Sequence, residues 1–167
     1  MFLSPLVREP GRGWQLENAD TGMLLARPVE SAFDSAARRR GLLGRSGLDG
    51  GALVIAPCHL VHTCFMRFAI DTIFVDREGR VVGVRYDVAP WRVAGSWRGF
   101  ATIEVDAGQA RRAGIRPGHR LALEPSVGVL GCGTGRWPFR PAFACDGVVP
   151  HAGTFERPRS DVGKHVR

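Results

Sequence analysis

The feature that most constrains the fold is an alternation of apolar and polar residues, with a period of two, between Leu53 and Glu124. The segment FATIEVDAG shows it most clearly. One face of this segment carries Ala101, Ile103 and Val105, and the other carries Thr102, Glu104 and Asp106. Because successive side chains of a strand point to opposite faces, the pattern predicts β-strands with an apolar face turned inward. We therefore expect an antiparallel sheet with one face in contact with water.

Shorter segments add strands and the turns between them. ALVIA, HTCFM and DTIFV are predicted strands, and Gly79 is free to take a positive φ in the turn that follows the third. WQLENADTGMLLA predicts a β-hairpin, because turn-forming residues separate its two apolar stretches. The expected fold is mainly β with a minor α component. Its form is a compact antiparallel sheet, barrel-like or sandwich-like, with one or two short helices.

Capping residues predict the helices. In SAFDSAARRRG, Ser31 is the expected N-cap, Asp34 stands in the capping-box position and Gly41 ends the helix. Asp106 is the expected cap of a second short turn of helix, GQARRAG.

Composition divides the chain into three parts, and its 167 residues have the length of one domain with extensions. Residues 1–13 hold two Pro and two Gly among scattered charges, which predicts a flexible N-terminal arm. Residues 14–124 are the predicted β-rich domain. Residues 125–167 are rich in Gly and Pro without a sustained period, so an irregular C-terminal tail is expected.

The net charge of +7 raises the question of a nucleic-acid partner. Binding to a polyanion requires cations clustered on one face, and the tight clusters are confined to Arg38–Arg40 and Arg111–Arg112. Solvated faces of short helices account for both clusters. The sequence therefore does not favour nucleic acid as a partner.

Apolar runs such as Leu53–Ala56 are far shorter than the roughly 20 residues of a membrane-spanning helix, so no membrane partner is expected. Pro5 and Glu9 interrupt the opening segment where a signal peptide has an unbroken apolar core. A cytoplasmic location is the resulting expectation. The four cysteines are then expected to be reduced thiols that fill space in the core.

The segments RRRGLLGR, HTCFMRFAIDTIFVDREGRVV, APWR, IEVDAG and AGIRPGHRLAL occur in this order. Together they make residues 18–124 resemble domain-of-unknown-function family 192, a bacterial and archaeal family. The resemblance implies a compact, mostly β fold with one or two short helices, and it implies no established reaction. Motif positions of the family fall on Arg40, Gly41, Leu42, Leu43, Arg45, Cys64, Phe65, Met66 and Asp71. This chain departs from the family pattern at GALV, before the central strands, and at a family aromatic residue that is either replaced by Phe65 or lost at Cys64.

The segment CHLVHTCFMRFAID contains residues that bind zinc in other proteins. In an extended strand Cys58 and Cys64 would lie about 20 Å apart, so they meet at one metal only if the chain reverses around residues 59–61. Cys132 and Cys145 would complete a four-thiolate set only if the tail folds back. The spacing lacks Cys-x-x-Cys pairs, so we expect no metal and no cofactor.

Five polar residues are the candidate ligand-binding groups, on the hypothesis that they project into one cleft of a rigid sheet. They are Arg45, His62, Arg67, Asp71 and Glu104. For Asp71, four residues after Arg67, a structural ion pair or a turn-capping role is the favoured interpretation.

The predicted function is that of a non-catalytic binding or accessory module for an unknown small ligand or protein. One alternative is a small hydrolase or thiol-based enzyme that uses Cys64, His62 and Asp71, since a thiolate and its base would share one strand face. A second alternative makes the domain a scaffold for the C-terminal tail. In that case the tail docks on a partner through Trp137, Phe139 and Phe143. The oligomeric state is left open.

Overall fold

Strand pairing dominates the fold of residues 1–126, which are the residues that the computed structural model describes. Within this range the helices are α1 (Ser4–Arg8), α2 (Ser35–Arg40) and α3 (Gln109–Arg112). The strands are β1 (Trp14–Asn18), β2 (Met23–Ala26), β3 (Val29–Ala32), β4 (Ala52–Ile55), β5 (Leu60–His62), β6 (Ile70–Val75), β7 (Val81–Val88), β8 (Val93–Gly95), β9 (Ala101–Asp106) and β10 (Leu121–Pro125).

The central element is a five-stranded sheet in the order β3-β4-β9-β6-β7. It is mixed, because β3 runs parallel to β4 while the other neighbouring strands are antiparallel. A three-stranded sheet has the order β10-β1-β2, and β5 pairs with β8 in a two-stranded ribbon. The fold is mainly β with short helices, as predicted. The sheets do not close into a barrel, so the arrangement is the sandwich-like one of the two predicted forms.

Apolar clusters cover both faces of the central sheet. On one face Ile73 and Ile103 pack in a cluster with Leu16 of the three-stranded sheet. On the other face Phe74 packs in a second cluster with Val61 of the ribbon, among other residues. The two clusters enclose β6 and β9 on both sides.

The prediction that β9 has one water-facing side is therefore wrong. Thr102 is fully buried and Glu104 is 4 % exposed, although both stand at the polar positions of the alternating pattern. The cause is tertiary: the turn after α2 and the ribbon lie over the second face of the sheet. A polar residue on a central strand consequently becomes a buried polar group.

The predicted caps also differ from the structure. Ser31 lies inside β3, and Asp34 is the N-cap of α2, where it accepts hydrogen bonds from the backbone N–H groups of Ala36 and Ala37 at 2.8 Å. Asp106 does not cap α3; its carboxylate accepts from the N–H groups of Leu48 and Gly50 at 2.8 and 2.9 Å. Pairing with β4 keeps the chain extended through β3, so α2 begins three residues later than the pattern suggests.

The predicted strand HTCFM is mostly a turn. β5 ends at His62, and the chain reverses through Thr63, whose backbone N–H donates to the carbonyl of Arg92 at 2.8 Å. Phe65 then takes a φ of 65°, which is incompatible with a strand. Contacts with the segment before β8 decide this reversal, and the local apolar pattern does not contain them.

The N-terminal segment, for which a flexible arm is predicted, contains α1. Leu6 of α1 and Leu3, the residue before this helix, are buried in the cluster that joins the two larger sheets. At the other end, β10 extends one residue beyond the predicted domain boundary, to Pro125. The rest of the predicted tail, from residue 127 on, lies outside the described residues. No helix within residues 1–126 is long and apolar enough to cross a membrane.

Candidate functional site

A cleft of about 520 Å³ opens between α2, the turn that follows it, and the segment from β4 to β5. Its lining is mixed, and the apolar part includes four side chains of the second core cluster. These are Leu42, Ile55, Val61 and Met66. The volume lies within the range of small-molecule sites, which are mostly apolar concavities with a few polar groups.

Glu104 is a buried charged residue that lines this cleft. It is 4 % exposed and lines the cleft from the central strand β9. Within residues 1–126 no hydrogen bond or salt bridge engages its carboxyl group. Burial raises the pKa of Glu104 to about 7, and the positive charge of Arg45 opposes this rise only partly. At neutral pH the carboxyl is thus near its midpoint, and it can either donate or accept a hydrogen bond.

Arg45 is held by another acid. Its guanidinium donates to both carboxylate oxygens of Glu30, at 2.7 and 2.8 Å, in a bidentate pair. The hydrogen bond from Arg45 lowers the pKa of Glu30, and Glu30 raises the pKa of Arg45. Both terminal nitrogens of the Arg45 guanidinium are hydrogen-bonded to Glu30. Within the described chain, Arg45 therefore acts on Glu104 through its charge and does not form an ion pair with the Glu104 carboxyl group.

The basic residues of α2 stand at the mouth of the cleft. Arg38 has a structural role, because its guanidinium donates to the backbone carbonyls of Phe33 and Ala56. Arg39 and Arg40 also line the cleft, are exposed, and make no side-chain hydrogen bond or salt bridge among the described residues. The outer rim is therefore positively charged, while the inner end carries Glu104.

The five predicted site residues do not all meet at this cleft. His62 and Glu104 line it, and Arg45 lies close enough to shift the pKa of Glu104. Arg67 is exposed in the turn after the ribbon and is not among the lining residues. Asp71 lies on the opposite face of the central sheet, since it pairs with Val105 while its neighbour on β6 pairs with Glu104.

Asp71 has a structural environment. Its side chain is fully buried, and its carboxylate accepts from the backbone N–H groups of Asp87 at 2.8 Å and Ala110 at 3.0 Å. It thereby ties β7 and α3 to β6. Within the described part of the chain it forms no ion pair with Arg67, and it does not reach the cleft that His62 lines.

The candidate catalytic residues Cys64, His62 and Asp71 do not meet at one site within residues 1–126. Cys58 and Cys64 are free, and the Cys58 thiol donates to the carbonyl of Leu60 at 3.1 Å. No hydrogen bond joins Cys64 to His62 in this range, and no three His, Cys, Asp or Glu residues are grouped to hold a metal ion. Cys132 and Cys145 lie outside the described residues.

Sequence reasoning missed the apolar walls and the basic rim. Leu42 and Met66 are remote from Glu104 in the chain, and Arg38–Arg40 were interpreted as a solvated helix face. The sequence does contain one signal for the basic rim. The arginine run ends two residues before Leu42, which is buried, so the cations lie at the edge of a core. That signal does not identify the strand across the cleft.

Comparison with known proteins agrees with this fold. The model of DUF192, described as an uncharacterized ACR, matches residues 16–123. The chain belongs to the DUF192 family. The suspected resemblance to this family is confirmed, with nearly the same limits. No curated protein matches the chain.

Two solved structures share the fold of this DUF192 chain, each with a TM-score of 0.57. One is a protein of unknown function from Novosphingobium aromaticivorans DSM 12444, 23 % identical over 65 % of this chain and 82 % of its own. The other is a protein from Sinorhizobium meliloti 1021, provisionally described as a transcription regulator. It is 21 % identical over 66 % of this chain and 91 % of its own.

Proposed function

We propose that this DUF192 domain is a non-catalytic binding module whose cleft takes a small amphipathic anion. The ligand has an apolar body, a hydroxyl or amide group at its inner end, and a negative charge at its outer end. The observation that carries the proposal is Glu104, a carboxyl group that lines the cleft while it is 4 % exposed.

The inner end follows from the cost of burying a carboxyl group. An unpaired buried polar group is destabilising by about 1 to 3 kcal/mol, and more when it is charged. An aliphatic residue at position 104 would avoid this cost, so the carboxyl is best explained by a ligand that pairs with it. A hydroxyl or amide group suits a carboxyl near its midpoint, because each can both donate and accept.

The outer end follows from the charges at the rim. Arg39 and Arg40 line the mouth of the cleft, and Arg45 is close enough for its charge to act on Glu104. These three cations disfavour a cationic ligand and attract an anion. The apolar walls between the rim and Glu104 fit a hydrocarbon or aromatic body.

A non-catalytic role is supported by the placement of the candidate catalytic groups. The carboxylate of Asp71 is used by two backbone N–H groups on the other face of the sheet, so it does not orient His62. The free thiols of Cys58 and Cys64 support a reducing compartment, and we extend the proposal to a cytoplasmic location. As for DNA, α2 has six residues and its arginines border the cleft, which favours a small anion over a duplex.

The test uses three probes that differ at one end only: 6-hydroxyhexanoate, 1,6-hexanediol and 6-amino-1-hexanol. We expect the hydroxy acid to shift the backbone amide signals around the cleft in NMR spectra, and the amine to have no effect. Glu104→Leu and Arg39→Gln should each abolish the response. Glu124→Gln changes an exposed carboxylate of β10 and is the matched control. Equal responses to the three probes, or a response that survives Glu104→Leu, would contradict the proposal.

A further inference from the structure

The two-stranded ribbon exposes an unusual amount of apolar surface. Trp97 is 92 % exposed, Phe65 is 70 % exposed and Val93 is 65 % exposed, and more than half of Leu60 and Trp91 is exposed as well. Leu60 and Val93 lie on the outer face of the ribbon, whereas Val61 and Ala94 face the core. Together Leu60, Phe65, Trp91, Val93 and Trp97 form what we call the aromatic patch.

The structure holds part of this patch in place. The rings of Phe65 and Trp91 pack edge to face with centroids 4.6 Å apart, at the end of the ribbon where the chain turns. Both residues have positive φ values, 65° and 62°, a region that large side chains rarely adopt. Buried Thr63 fixes the turn: its hydroxyl donates to the carbonyl of Ala89 at 2.7 Å and accepts from the N–H of Arg92 at 2.9 Å.

Strained backbone persists only where the surrounding structure enforces it, and it clusters at binding and active sites. Here the strained residues display two aromatic rings to solvent. Several exposed apolar side chains on one short ribbon and its flanking turns likewise mark a contact with another molecule. The patch is therefore preorganised for a partner that accepts aromatic side chains.

The charges around the patch indicate the chemistry of that partner. Residues 58–68 and 88–100 contain no Asp or Glu. They contain Arg67, Arg92 and Arg98, which are exposed and form no salt bridge with any described residue. Each arginine lies within two residues of one of the exposed rings. A complementary partner would therefore carry negative charges at its surface and an apolar layer below those charges.

We propose that the aromatic patch docks on an anionic lipid surface. Aromatic rings partition into the interfacial layer of a bilayer, and each nearby arginine adds electrostatic attraction to anionic lipid. Single-stranded nucleic acid fits less well, because bases stack on open ring faces, whereas Leu60 and Val93 offer no π-face and the edge of one ring of the Phe65–Trp91 pair packs on the other. The sequence-based expectation of no membrane partner concerned spanning segments, and a surface contact requires none.

This inference is independent of the proposed ligand cleft. Leu60 and His62 border both surfaces, so the cleft opens beside the patch, but Glu104 lies inside the cleft and away from the exposed rings. A Glu104→Gln protein should bind vesicles as the wild type does. If the cleft bound no ligand, vesicle binding would therefore be unchanged. If the patch bound no vesicles, ligand binding in the cleft would likewise be unchanged.

The experiment is vesicle co-sedimentation of the full chain. We expect sedimentation with vesicles of phosphatidylcholine mixed with phosphatidylglycerol, weakening in high salt, and little with phosphatidylcholine alone. Phe65→Asn combined with Trp91→Asn should weaken binding at least about tenfold, since Asn tolerates positive φ and removes both rings. Arg67→Gln combined with Arg98→Gln should weaken binding and reduce its dependence on salt.

Met23→Ser combined with Leu24→Ser is the matched control. These residues are about half exposed on β2, outside the patch, and their loss should not change sedimentation. Equal binding by the wild type and the Asn double variant would overturn the proposal. So would an absence of vesicle binding together with patch-dependent self-association in sedimentation velocity, or with patch-dependent binding to a single-stranded oligonucleotide.

Discussion

Thr72 and Glu104 stand directly opposite one another on the neighbouring strands β6 and β9, and both are buried. The Thr72 hydroxyl has no hydrogen-bond partner among the described residues. A polar pair thus interrupts the second apolar cluster at the centre of the main sheet. Such a pair weakens the fold by itself, and this explains why a ligand that hydrogen-bonds there would stabilise the protein.

The first prediction concerns the pH dependence of stability. Unfolded Glu104 has its ordinary pKa of 4.5, while burial raises the folded pKa to about 7. Between these values the folded protein retains a proton that the unfolded chain releases, so the Glu104 contribution to stability decreases as pH rises from 4.5 to 7 and is constant above 7. The loss is on the order of 3 kcal/mol.

Urea unfolding at a series of pH values measures this effect. Glu104→Gln should remove the decrease in the free energy of unfolding that Glu104 causes between pH 4.5 and 7. The variant should also be more stable than the wild type above pH 7. Glu124→Gln, at an exposed position, should leave the wild-type profile intact. If the two substitutions produced the same profile, the assignment of the raised pKa to Glu104 would be wrong.

The second prediction is that Arg45→Gln raises the pKa of Glu104 further. The positive charge of Arg45 favours the ionised carboxyl, and its removal leaves desolvation unopposed. The same substitution should raise the pKa of Glu30, which loses the bidentate hydrogen bond. A carbon-detected NMR titration of the Glu side chains would follow both groups. Arg12→Gln, which breaks the exposed pair with Glu9, is the control and should shift neither.

The third prediction separates Asp71 from the cleft. Asp71→Asn should destabilise the fold by about 2 to 4 kcal/mol, because the part-buried backbone N–H of Asp87 or the buried one of Ala110 loses its carboxylate acceptor. It should leave the response to 6-hydroxyhexanoate unchanged, since Asp71 lies on the opposite sheet face. A lost response in a folded Asp71→Asn protein would place this carboxylate in the binding site after all.

Asp87→Asn is the control for that experiment. Asp87 pairs with Arg111 at 2.9 Å, but both side chains are more than half exposed, so the pair contributes less than about 1 kcal/mol. Asn also accepts the positive φ of 52° at this position. Thermal unfolding of the two variants under one condition provides the comparison.

The fourth prediction tests the turn that holds the aromatic patch. Thr63→Val should cost about 1 to 3 kcal/mol, because the N–H of Arg92 and the carbonyl of Ala89 lose their part-buried hydrogen bonds to the Thr63 hydroxyl. The packing of Phe65 on Trp91 should also loosen, which changes the ring chemical shifts of both residues. Thr21→Val alters an exposed turn with a weak 3.4 Å hydrogen bond and should have little effect. Unchanged ring shifts in Thr63→Val would show that the turn is fixed by other contacts.

Much of the strand content was predictable from the sequence. The alternation in β9 and the apolar run of β6 gave their positions to within two residues, because side-chain alternation is a local property of strands. Gly79 has the predicted positive φ, 83°, for the equally local reason that it lacks a side chain. These local rules also gave the mainly β fold class.

The sequence could not show which polar positions are buried. Glu104 and Asp106 follow the same alternation on β9, yet one lines the cleft from inside and the other binds the Leu48 and Gly50 amides at the end of the strand. Asp71, by contrast, was expected to have a structural role such as turn capping. The structure identifies its partners as two backbone amides from distant segments.

By itself, then, the sequence determined much of the strand content, the glycine turn at Gly79 and the family of the chain. Only the tertiary structure decided that the second face of the central sheet is covered, that Glu104 faces a cleft, and that two aromatic rings are held in solvent. The physical reason is one of range. Strand and turn preferences act between neighbours in the chain, whereas burial depends on segments that are dozens of residues apart and meet only in the folded protein.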